Sequence, residues 1–193
     1  MKRIAILASG SGTNAENISK YFQDRAEVEV SLILTNNPDA GVIQRARRLH
    51  IPVILFDKVS FYKTDRILNI LQQSQIDLVV LAGFMMLIPG NLVSAFHNRI
   101  INIHPALLPK FGGKGMYGSF VHEAVAQAGE PETGITIHFV NEHYDEGRVI
   151  FQASCPVNAN DTPDDIANRV HALEYLHFPQ VIEKVLTELP LPG

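Results

Sequence analysis

The stretch Ile4-Ala5-Ile6-Leu7-Ala8-Ser9-Gly10-Ser11-Gly12-Thr13-Asn14-Ala15 decides the fold, because two kinds of pattern meet in it. Residues 4–8 are continuously apolar, as in a strand that is covered on both faces, and residues 14–22 have the spacing of a helix. The glycines between them allow a tight turn, which leaves the N–H groups of the helix start facing an anion. The sequence therefore predicts a strand, a phosphate-binding loop and a helix in that order.

The same alternation of strand and helix continues along the N-terminal half. Apolar runs at 28–35, 52–56 and 77–82 predict further strands, and the segments 39–49 and 60–73 predict helices between them. Repetition at this spacing is typical of a parallel sheet with helices on both faces. We therefore predict an α/β fold built on a doubly wound, mostly parallel sheet.

The pattern changes after a further strand predicted at 100–104. Residues 105–118 contain two prolines and four glycines and show no periodicity, which predicts a loop. A helix is predicted at 119–128. The glycines at 112–118 predict that this part of the loop is a mobile flap.

The C-terminal part predicts antiparallel additions to the sheet and one long helix. The runs at 134–140 and 149–153 read as strands, and the helix begins at Thr162-Pro163-Asp164-Asp165, with a cap, a proline at the first position and two acids in the first turn. No stretch has the composition of a linker. We therefore predict a single domain over residues 1–193.

The composition excludes several classes of protein. Of the 193 residues 46% are apolar and 19% charged, which is ordinary for a globular chain, and a formal net charge of −4 lacks the basic character of a nucleic-acid binder. The longest apolar stretch, 78–88, is about half the length of a membrane-spanning helix, and the run after Lys2-Arg3 is too short for a signal peptide. The single cysteine, Cys155, can form neither an internal disulfide nor a Cys-rich zinc site. We expect a cytoplasmic protein that binds neither nucleic acid nor membrane.

The glycine loop also admits other interpretations. Gly10-x-Gly12-x-x-Ala15 fits the dinucleotide fingerprint of dehydrogenases, and a plain tight turn is a second alternative. A dinucleotide site needs an acid near the end of the second strand. This strand ends Leu34-Thr35-Asn36-Asn37, and the next acid is Asp39. A single phosphate bound by residues 12–14 agrees better with these residues.

Two polar side chains interrupt the otherwise apolar strand at 100–104. Period two places Asn102 and His104 on one face, at the carboxyl end where open α/β sheets bind ligands. An amide beside an imidazole can donate hydrogen bonds to an oxyanion that forms when a carbonyl carbon is attacked, and a histidine can also move protons. A structural amide beside a core histidine is the alternative. Asp145, in the glycine-ended loop 141–147, would raise the pKa of His104 if it lay beside it.

Together these motifs resemble those of the folate-dependent formyltransferases. Their order is similar to that in phosphoribosylglycinamide formyltransferases, and the resemblance is carried by Ser9–Asn14, Leu81–Met85, Ile101–Pro109, Gly134–Val140 and Asp145–Gly147. It covers essentially the whole chain, and the motifs are specific jointly rather than singly. It implies a Rossmann-like formyltransferase fold. It also implies transfer of a formyl group from 10-formyltetrahydrofolate to the amine of phosphoribosylglycinamide in purine biosynthesis.

The resemblance implies roles for individual residues. The catalytic residues would be Asn102, His104 and Asp145, with Asp145 keeping His104 protonated near neutral pH. The ribonucleotide would be bound by Gly12, Thr13, Asn14 and Glu174. The folate would be bound by Met85, Met86, Leu87, Ile88 and Asn102. The expected partners are small molecules, no metal is required, and the chain is expected to be a monomer or a homodimer.

Two positions depart from the family pattern. Met86 stands where many members carry arginine, and the usual basic residue of the segment 58–63 corresponds to either Lys58 or Lys63. Both positions concern the folate tail. The contacts of that tail are therefore left open.

Other functions remain as alternatives. Methionyl-tRNA formyltransferase and formyltetrahydrofolate deformylase share the three catalytic residues, but the first normally carries a further C-terminal domain and the second an N-terminal regulatory domain. We expect neither domain in this chain. A non-catalytic phosphate-binding module would explain the glycine loop but not the polar pair on the strand. The spacing His138-x4-His143 suggests zinc, although a strand residue and a loop residue share no ligand face.

Overall fold

The computed structural model describes residues 1–189, so the last four residues of the predicted domain lie outside the described residues. One sheet runs through the molecule in the order β3-β2-β1-β4-β5-β6-β7. Its strands are β1 (Lys2–Leu7), β2 (Val28–Thr35), β3 (Val53–Leu55), β4 (Leu78–Leu81), β5 (Ile100–His104), β6 (Glu132–Phe139) and β7 (Val149–Pro156). The strands β1 to β5 are parallel, and β6 pairs antiparallel with both β5 and β7.

Helices cover both faces of this sheet. They are α1 (Thr13–Phe22), α2 (Val42–Arg48), α3 (Lys58–Tyr62), α4 (Arg66–Gln73), α5 (Gly90–Ala95), α6 (Ser119–Ala128) and α7 (Pro163–Glu188). Alternate residues of β1 point into two separate cores, since Ile4 and Ile6 pack with α1 and α7 while Ala5 and Leu7 pack with α4. The predicted α/β fold, its doubly wound and mostly parallel sheet, its antiparallel additions and its long C-terminal helix are confirmed.

The helix predicted over 60–73 is wrong, because this segment forms two helices. Asp57 caps α3 by accepting a hydrogen bond from the backbone N–H of Ser60 at 2.7 Å. The hydroxyl of Thr64 then accepts from the N–H of Arg66 at 3.2 Å, just where α4 begins. Polar side chains therefore compete with the helical backbone between the two helices, and the apolar periodicity hid this break. The six-residue helix α5 was not predicted, because it is too short to show a period.

The start of α7 is as predicted. Thr162 accepts a hydrogen bond from the N–H of Asp165, and the Asp165 carboxylate accepts from the N–H of Thr162, which together form a capping box. Pro163 occupies the first turn. This helix packs on α1, α6, β6 and β7. It therefore carries residues of its middle turns toward the edge of the sheet where β1 ends.

The chain order reverses at β1, since β2 and β3 lie on one side of it and β4 and β5 on the other. The crevice at the carboxyl ends of strands beside such a reversal is where ligands bind in open α/β sheets. The loops after β1, β4 and β5 all lie at this edge. Among the residues that the structure describes, no helix is long and apolar enough to cross a membrane.

Candidate active site

A cavity of about 550 Å³ opens at the carboxyl ends of β1, β4 and β5. Its wall also includes parts of the glycine-rich loop, of β6 and of α7. The cavity brings together all the residues predicted to form the site: Gly12, Thr13, Asn14, Met85, Met86, Leu87, Ile88, Asn102, His104, Asp145 and Glu174. Residues from five separate segments of the chain thus share one space.

Asn102 and His104 lie on the face of β5 that turns toward this cavity. Ile101 and Ile103, which alternate with them, belong to the core on the other face, as period two predicts. His104 is only 3% exposed, whereas Asn102 is half-buried. Both side chains are therefore held at the sheet edge, with little freedom to move.

Each ring nitrogen of His104 faces an oxygen acceptor. Nε2 is 2.7 Å from the carbonyl oxygen of Phe111, so this nitrogen carries the hydrogen and donates a hydrogen bond to that oxygen. Nδ1 is 3.5 Å from Oδ2 of Asp145. Burial lowers the pKa of His104, and the opposing effects of Asp145 and of the Phe111 carbonyl only partly offset that lowering. Asp145 thus acts in the predicted direction, because its charge raises the pKa of His104. The expectation that Asp145 keeps His104 protonated near neutral pH is wrong, because desolvation of the buried ring outweighs the effect of the carboxylate.

Asp145 lies at the centre of the site. Its Oδ2 accepts a hydrogen bond from the N–H of Gly113 at 2.9 Å, and its Oδ1 is 3.6 Å from Nε2 of His138. Burial acts to raise the pKa of Asp145, but the charge of His104 and the hydrogen bond from the Gly113 N–H act to lower it, and the net pKa is lowered. The carboxylate therefore stays charged at neutral pH.

The amide of Asn102 is held between two neighbours. Its Nδ2 lies 3.1 Å from Nε2 of His138 and 3.5 Å from Oδ1 of Asp145. The first contact follows from the sheet, because Asn102 and His138 are directly paired across β5 and β6. The second contact is long, so this N–H can turn to another acceptor.

The loop after β1 leaves the start of α1 open. Gly12 is the residue before the first turn, with φ +77°, and no side chain caps the helix there. The first N–H groups of α1 are therefore available to an anion, which the helix dipole also favours. A Cβ at Gly12 would come within 2.5 Å of Val42, so glycine is required here both by backbone conformation and by the close approach of α2.

Basic side chains surround this helix start. The carboxylate of Glu16 pairs with Arg45 and with Lys20, and Arg48 is 3.8 Å away. Arg45 also donates through Nε to the carbonyl oxygen of Ser11 at 2.9 Å, which fixes the loop. Three cations thus face one carboxylate, which leaves a positive local charge near the open helix start.

Glu174 is 5% exposed and reaches the glycine loop from α7. Its Oε2 accepts hydrogen bonds from Nδ2 of Asn14 at 2.8 Å and from Nδ1 of His171 at 2.9 Å. The hydrogen bond to Glu174 raises the pKa of His171. A buried carboxylate beside the open helix start suits hydroxyl groups that donate hydrogen bonds.

The segment after β4 forms the other end of the cavity. The N–H of Met85 donates to the hydroxyl of Ser9 at 3.1 Å, and the carbonyl of Leu87 accepts from the hydroxyl of Tyr62 at 3.0 Å. Ile88 is 3% exposed and packs into the core, while Met85 is 48% exposed. Lys58 and Lys63 are both exposed and line no part of the cavity.

Four further residues of the site were missed by sequence reasoning. Ser9 links the loops after β1, β2 and β4, His138 contacts Asn102, His171 contacts Glu174, and His122 on α6 lines the cavity. Only the pair of His171 and Glu174 left a local signal in the sequence. A histidine three residues before a glutamate lies on the same helix face, and His138, on an apolar strand, would be suspect if the strand register were known.

The other interpretations of the site find no support in this geometry. Asn36 follows β2 and accepts a hydrogen bond from Ser9 at 2.7 Å, and Asp39 is exposed. An amide, and not the acid that a dinucleotide ribose needs, thus follows the second strand. His138 is buried on β6, while His143 is exposed on the next loop. Within residues 1–189, no group of three or more histidine, cysteine, aspartate or glutamate side chains is arranged to hold a metal ion.

Known proteins share this fold. Over 100% of this chain and 90% of the other, the structure is similar to the crystal structure of phosphoribosylglycinamide formyltransferase from Anaplasma phagocytophilum, with a TM-score of 0.88 and 33% sequence identity. At 37% identity it is also similar to the enzyme of that name from Bacillus halodurans, with a TM-score of 0.86 over 97% of this chain and 96% of the other.

Curated sequences agree with these structures. The chain is 36% identical to phosphoribosylglycinamide formyltransferase of Bacillus subtilis, covering 96% of this chain and 95% of that protein. It is 42% identical to the chloroplastic protein of that name from Arabidopsis thaliana, covering 97% of this chain and 66% of that protein. The chain thus spans about two thirds of the length of the plant relative. Residues 2–182 match the formyl transferase family model, which covers every element that forms the cavity, and the chain therefore belongs to the formyl transferase family.

Proposed function

We propose that this protein transfers the formyl group of 10-formyltetrahydrofolate to the amine of phosphoribosylglycinamide, giving formyl-phosphoribosylglycinamide and tetrahydrofolate. The observation that carries the proposal is the meeting of Asn102, His104 and Asp145 in a cavity that also reaches the uncapped start of α1. A donor for an oxyanion, a proton carrier and an anion site thus share one space. The relatives whose names state this activity support it.

The ribonucleotide would occupy the end of the cavity beside the glycine loop. Its phosphate would accept hydrogen bonds from the N–H groups of Thr13 and Asn14, and the positive charge around Glu16 favours an anion there. The ribose hydroxyls would donate to Glu174. This arrangement directs the glycinamide amine toward the end of β5.

The folate would occupy the other end, along residues 85–88. This wall combines apolar side chains with backbone groups, which suits a flat ring system bearing several donors and acceptors. The reactive formyl group would lie beside Asn102. Met86, which stands in place of a frequent arginine, would leave recognition of the folate tail to residues outside the cavity wall.

The reaction itself is an acyl transfer. The amine nitrogen attacks the formyl carbon, which gives a tetrahedral intermediate with a negatively charged oxygen. The carbon–nitrogen bond to the folate then breaks, the amine loses one proton, and the folate nitrogen gains one. Holding both substrates in one cavity supplies much of the acceleration, because the attack becomes effectively intramolecular.

Asn102 would stabilise the charged oxygen by hydrogen bonding, and the positive charge of a protonated His104 ring would stabilise it electrostatically. One such donor is worth on the order of 10²–10³ in rate. His104, or a water molecule beside it, would carry the proton toward the folate nitrogen. The charge of Asp145 would stabilise the imidazolium that forms during this step, against the opposing effect of burial.

An assay with both substrates tests the proposal. Loss of 10-formyltetrahydrofolate should depend on phosphoribosylglycinamide, and the formylated amide should appear in equal amount. Equal loss of the folate without the amine would contradict the proposal and would indicate a deformylase, which uses water as the acceptor.

The unit that carries this activity is proposed to be a single domain over residues 1–193. The continuous seven-stranded sheet supports this, because the site draws on both its N-terminal and its C-terminal strands. We expect a monomer or a homodimer in solution. Light scattering on the active protein would give the molecular mass that tests this.

A further inference from the structure

His138 contacts the Asn102 amide, yet the chemistry above gives it no part. It is 2% exposed and lies on β6 directly across from Asn102. Its Nε2 is 3.1 Å from Nδ2 of Asn102 and 3.6 Å from Oδ1 of Asp145. We infer that His138 is a positioning residue that decides which end of the Asn102 side chain serves the oxyanion. This inference rests on the proposed formyl transfer.

The position of the proton on the His138 ring follows from its backbone contact. Nδ1 lies 2.9 Å from the carbonyl oxygen of Phe139, and a carbonyl can only accept, so Nδ1 carries the proton. In a neutral ring, Nε2 then holds a lone pair and can only accept. The group of Asn102 that faces this nitrogen must therefore be the donor Nδ2 and not Oδ1.

This contact sets the direction of the second N–H of Asn102. One N–H is held by His138, and the other points along a long contact of 3.5 Å toward Oδ1 of Asp145. That N–H is free to turn to an oxyanion beside His104. In the reversed amide, Oδ1 would face the carboxylate and an acceptor would meet the developing negative charge. The carbonyl of Phe139 therefore fixes the tautomer of His138, and His138 in turn fixes the orientation of the Asn102 amide.

Two substitutions of His138 separate the acceptor from the rest of the ring. The side-chain amide of asparagine reaches only the position of Nδ1, so His138→Asn removes the acceptor at Nε2. Glutamine is longer and can place its amide oxygen near the position of Nε2, so His138→Gln can restore it. We expect kcat to fall about 10–100-fold in His138→Asn and to recover to within about fivefold of wild type in His138→Gln. The KM for each substrate should stay within about twofold, because the oxyanion exists only after attack.

A matched control lies at the other end of the same strand. Thr133 is also buried on β6, and it pairs with Cys155 on β7, away from β5. Thr133→Val should leave kcat within about twofold of wild type. An equal loss of kcat in Thr133→Val and His138→Asn would overturn the inference, because any disturbance of β6 would then suffice.

A double-mutant cycle tests whether His138 acts through Asn102. In an Asn102→Ala background, His138→Asn should lower kcat by less than about twofold more, since no amide is left to orient. If the two losses multiply, His138 acts by another route and the inference fails.

Nitrogen NMR of the resting protein gives a readout that does not require turnover. The His138 ring should show a protonated Nδ1 and an unprotonated Nε2, as its contact with the Phe139 carbonyl requires. The side-chain amide signal of Asn102 should shift in His138→Asn. The opposite tautomer, or an unmoved amide signal, would overturn the inference. Absence of formyl transfer by the wild type would instead overturn the proposed function.

Discussion

Two opposing effects act on the imidazole of His104 at the end of β5. Burial disfavours the charged ring, while Asp145 and the Phe111 carbonyl favour it, and the net result is a lowered pKa. The resting protein therefore holds a mostly neutral His104 at neutral pH. The carboxylate of Asp145 lowers the free energy of the charged His104 ring, so that this ring can be protonated while the oxyanion exists.

Replacing Asp145 by asparagine tests this balance. Asp145→Asn keeps the size of the side chain and can keep the hydrogen bond from Gly113, but it removes the charge that favours the imidazolium. The pKa of His104 should fall further, so the decline of kcat with rising pH should begin at a lower pH. At about pH 7.5 kcat should drop about 10–100-fold. The pH profile of kcat is the measurement.

The coupling of these two residues has its own check. His104→Ala should reduce kcat more than Asp145→Asn, and the double variant should lose much less than the product of the two losses. Strictly multiplicative losses together with an unmoved pH profile would leave Asp145 as an ordinary loop aspartate.

Cys155 offers a contrasting case, since it is half-buried on β7 and outside the cavity. Burial raises the pKa of the Cys155 thiol, which leaves little of the reactive thiolate at neutral pH. Cys155→Ser should therefore keep kcat within about twofold of wild type. Rapid inactivation of the wild type by a thiol reagent, with resistance in Cys155→Ser, would contradict this.

The sequence predicted those site residues whose signal is local. Asn102 and His104 stand out because they interrupt an apolar strand at a spacing of two. His138 could not be found in the same way, because only the register between β5 and β6 brings it to Asn102. The lowered pKa of His104 was also out of reach, since it arises from burial by segments far apart in the chain.

At the scale of elements, the β1–α1 turn has a second reason for its glycine. From the sequence alone, Gly12 is predicted to leave backbone N–H groups open to phosphate. The structure adds that its Cβ would point into α2, within 2.5 Å of Val42, at a φ of +77°. Helix α2 therefore restricts the conformation of the loop between β1 and α1.

Gly12→Ala should for this reason harm both stability and ribonucleotide binding. A left-handed conformation costs about 1–2 kcal/mol for a residue with a Cβ, and contact with Val42 adds to this. We expect a lower free energy of unfolding and a KM for phosphoribosylglycinamide raised about tenfold or more, while the KM for the folate changes little. Denaturation and steady-state kinetics measure the two effects.

A second variant separates the two causes. Adding Val42→Ala removes Cγ2 of that residue but keeps its Cβ and Cα, which lie 2.5 and 2.7 Å from the new Cβ, so the loop must still shift and its backbone stays strained. The double variant should therefore recover only a small part of the lost ribonucleotide affinity. Equal losses of affinity for both substrates in Gly12→Ala would count against the assignment of the phosphate to this loop.

Strands were easier to predict than the boundaries of helices. Val28–Thr35 and Ile100–His104 are found as predicted, because a buried parallel strand is apolar without interruption. The break between α3 and α4 depends on side-chain hydrogen bonds of Asp57, Ser60 and Thr64, which compete with an apolar period that continues past them. Hydrophobic spacing indicates which face of a helix is buried, but it does not indicate where the helix ends.

At the scale of the whole molecule, buried histidines predict sensitivity to acid. Burial lowers the pKa of both His104 and His122, so the unfolded chain binds these protons at a higher pH than the folded protein does. The free energy of unfolding should therefore fall as the pH drops below about 6.5, toward the lowered values of the folded state. His171 acts in the opposite direction, because its raised pKa favours the folded state at low pH.

His122→Leu isolates one part of this effect. Nδ1 of His122 is buried without a hydrogen-bond partner, so an apolar side chain of similar size should be tolerated. At about pH 8 the free energy of unfolding should be equal to or above that of wild type. Between about pH 6.5 and 5 it should fall less steeply. Parallel curves for the two proteins would show that His122 does not contribute.

The sheet order marks the limit of what periodicity alone can say about the whole fold. Alternation of strands and helices indicates a doubly wound sheet but does not show that β4 lies beside β1. That adjacency, which puts the loops after β1 and β4 into contact through Ser9, follows from packing between distant segments. The prediction that the separate motifs form one site came from the family resemblance and not from the alternation of strands and helices.

The hydrogen bond between Asn14 and Glu174 joins residues that are 160 positions apart. A ribosome that has made the glycine loop must still synthesise most of the chain before α7 can reach that loop. The site proposed for the ribonucleotide therefore stays incomplete until α7 has been synthesised and has packed on α1. Binding of phosphoribosylglycinamide to that proposed site would then require this late packing step.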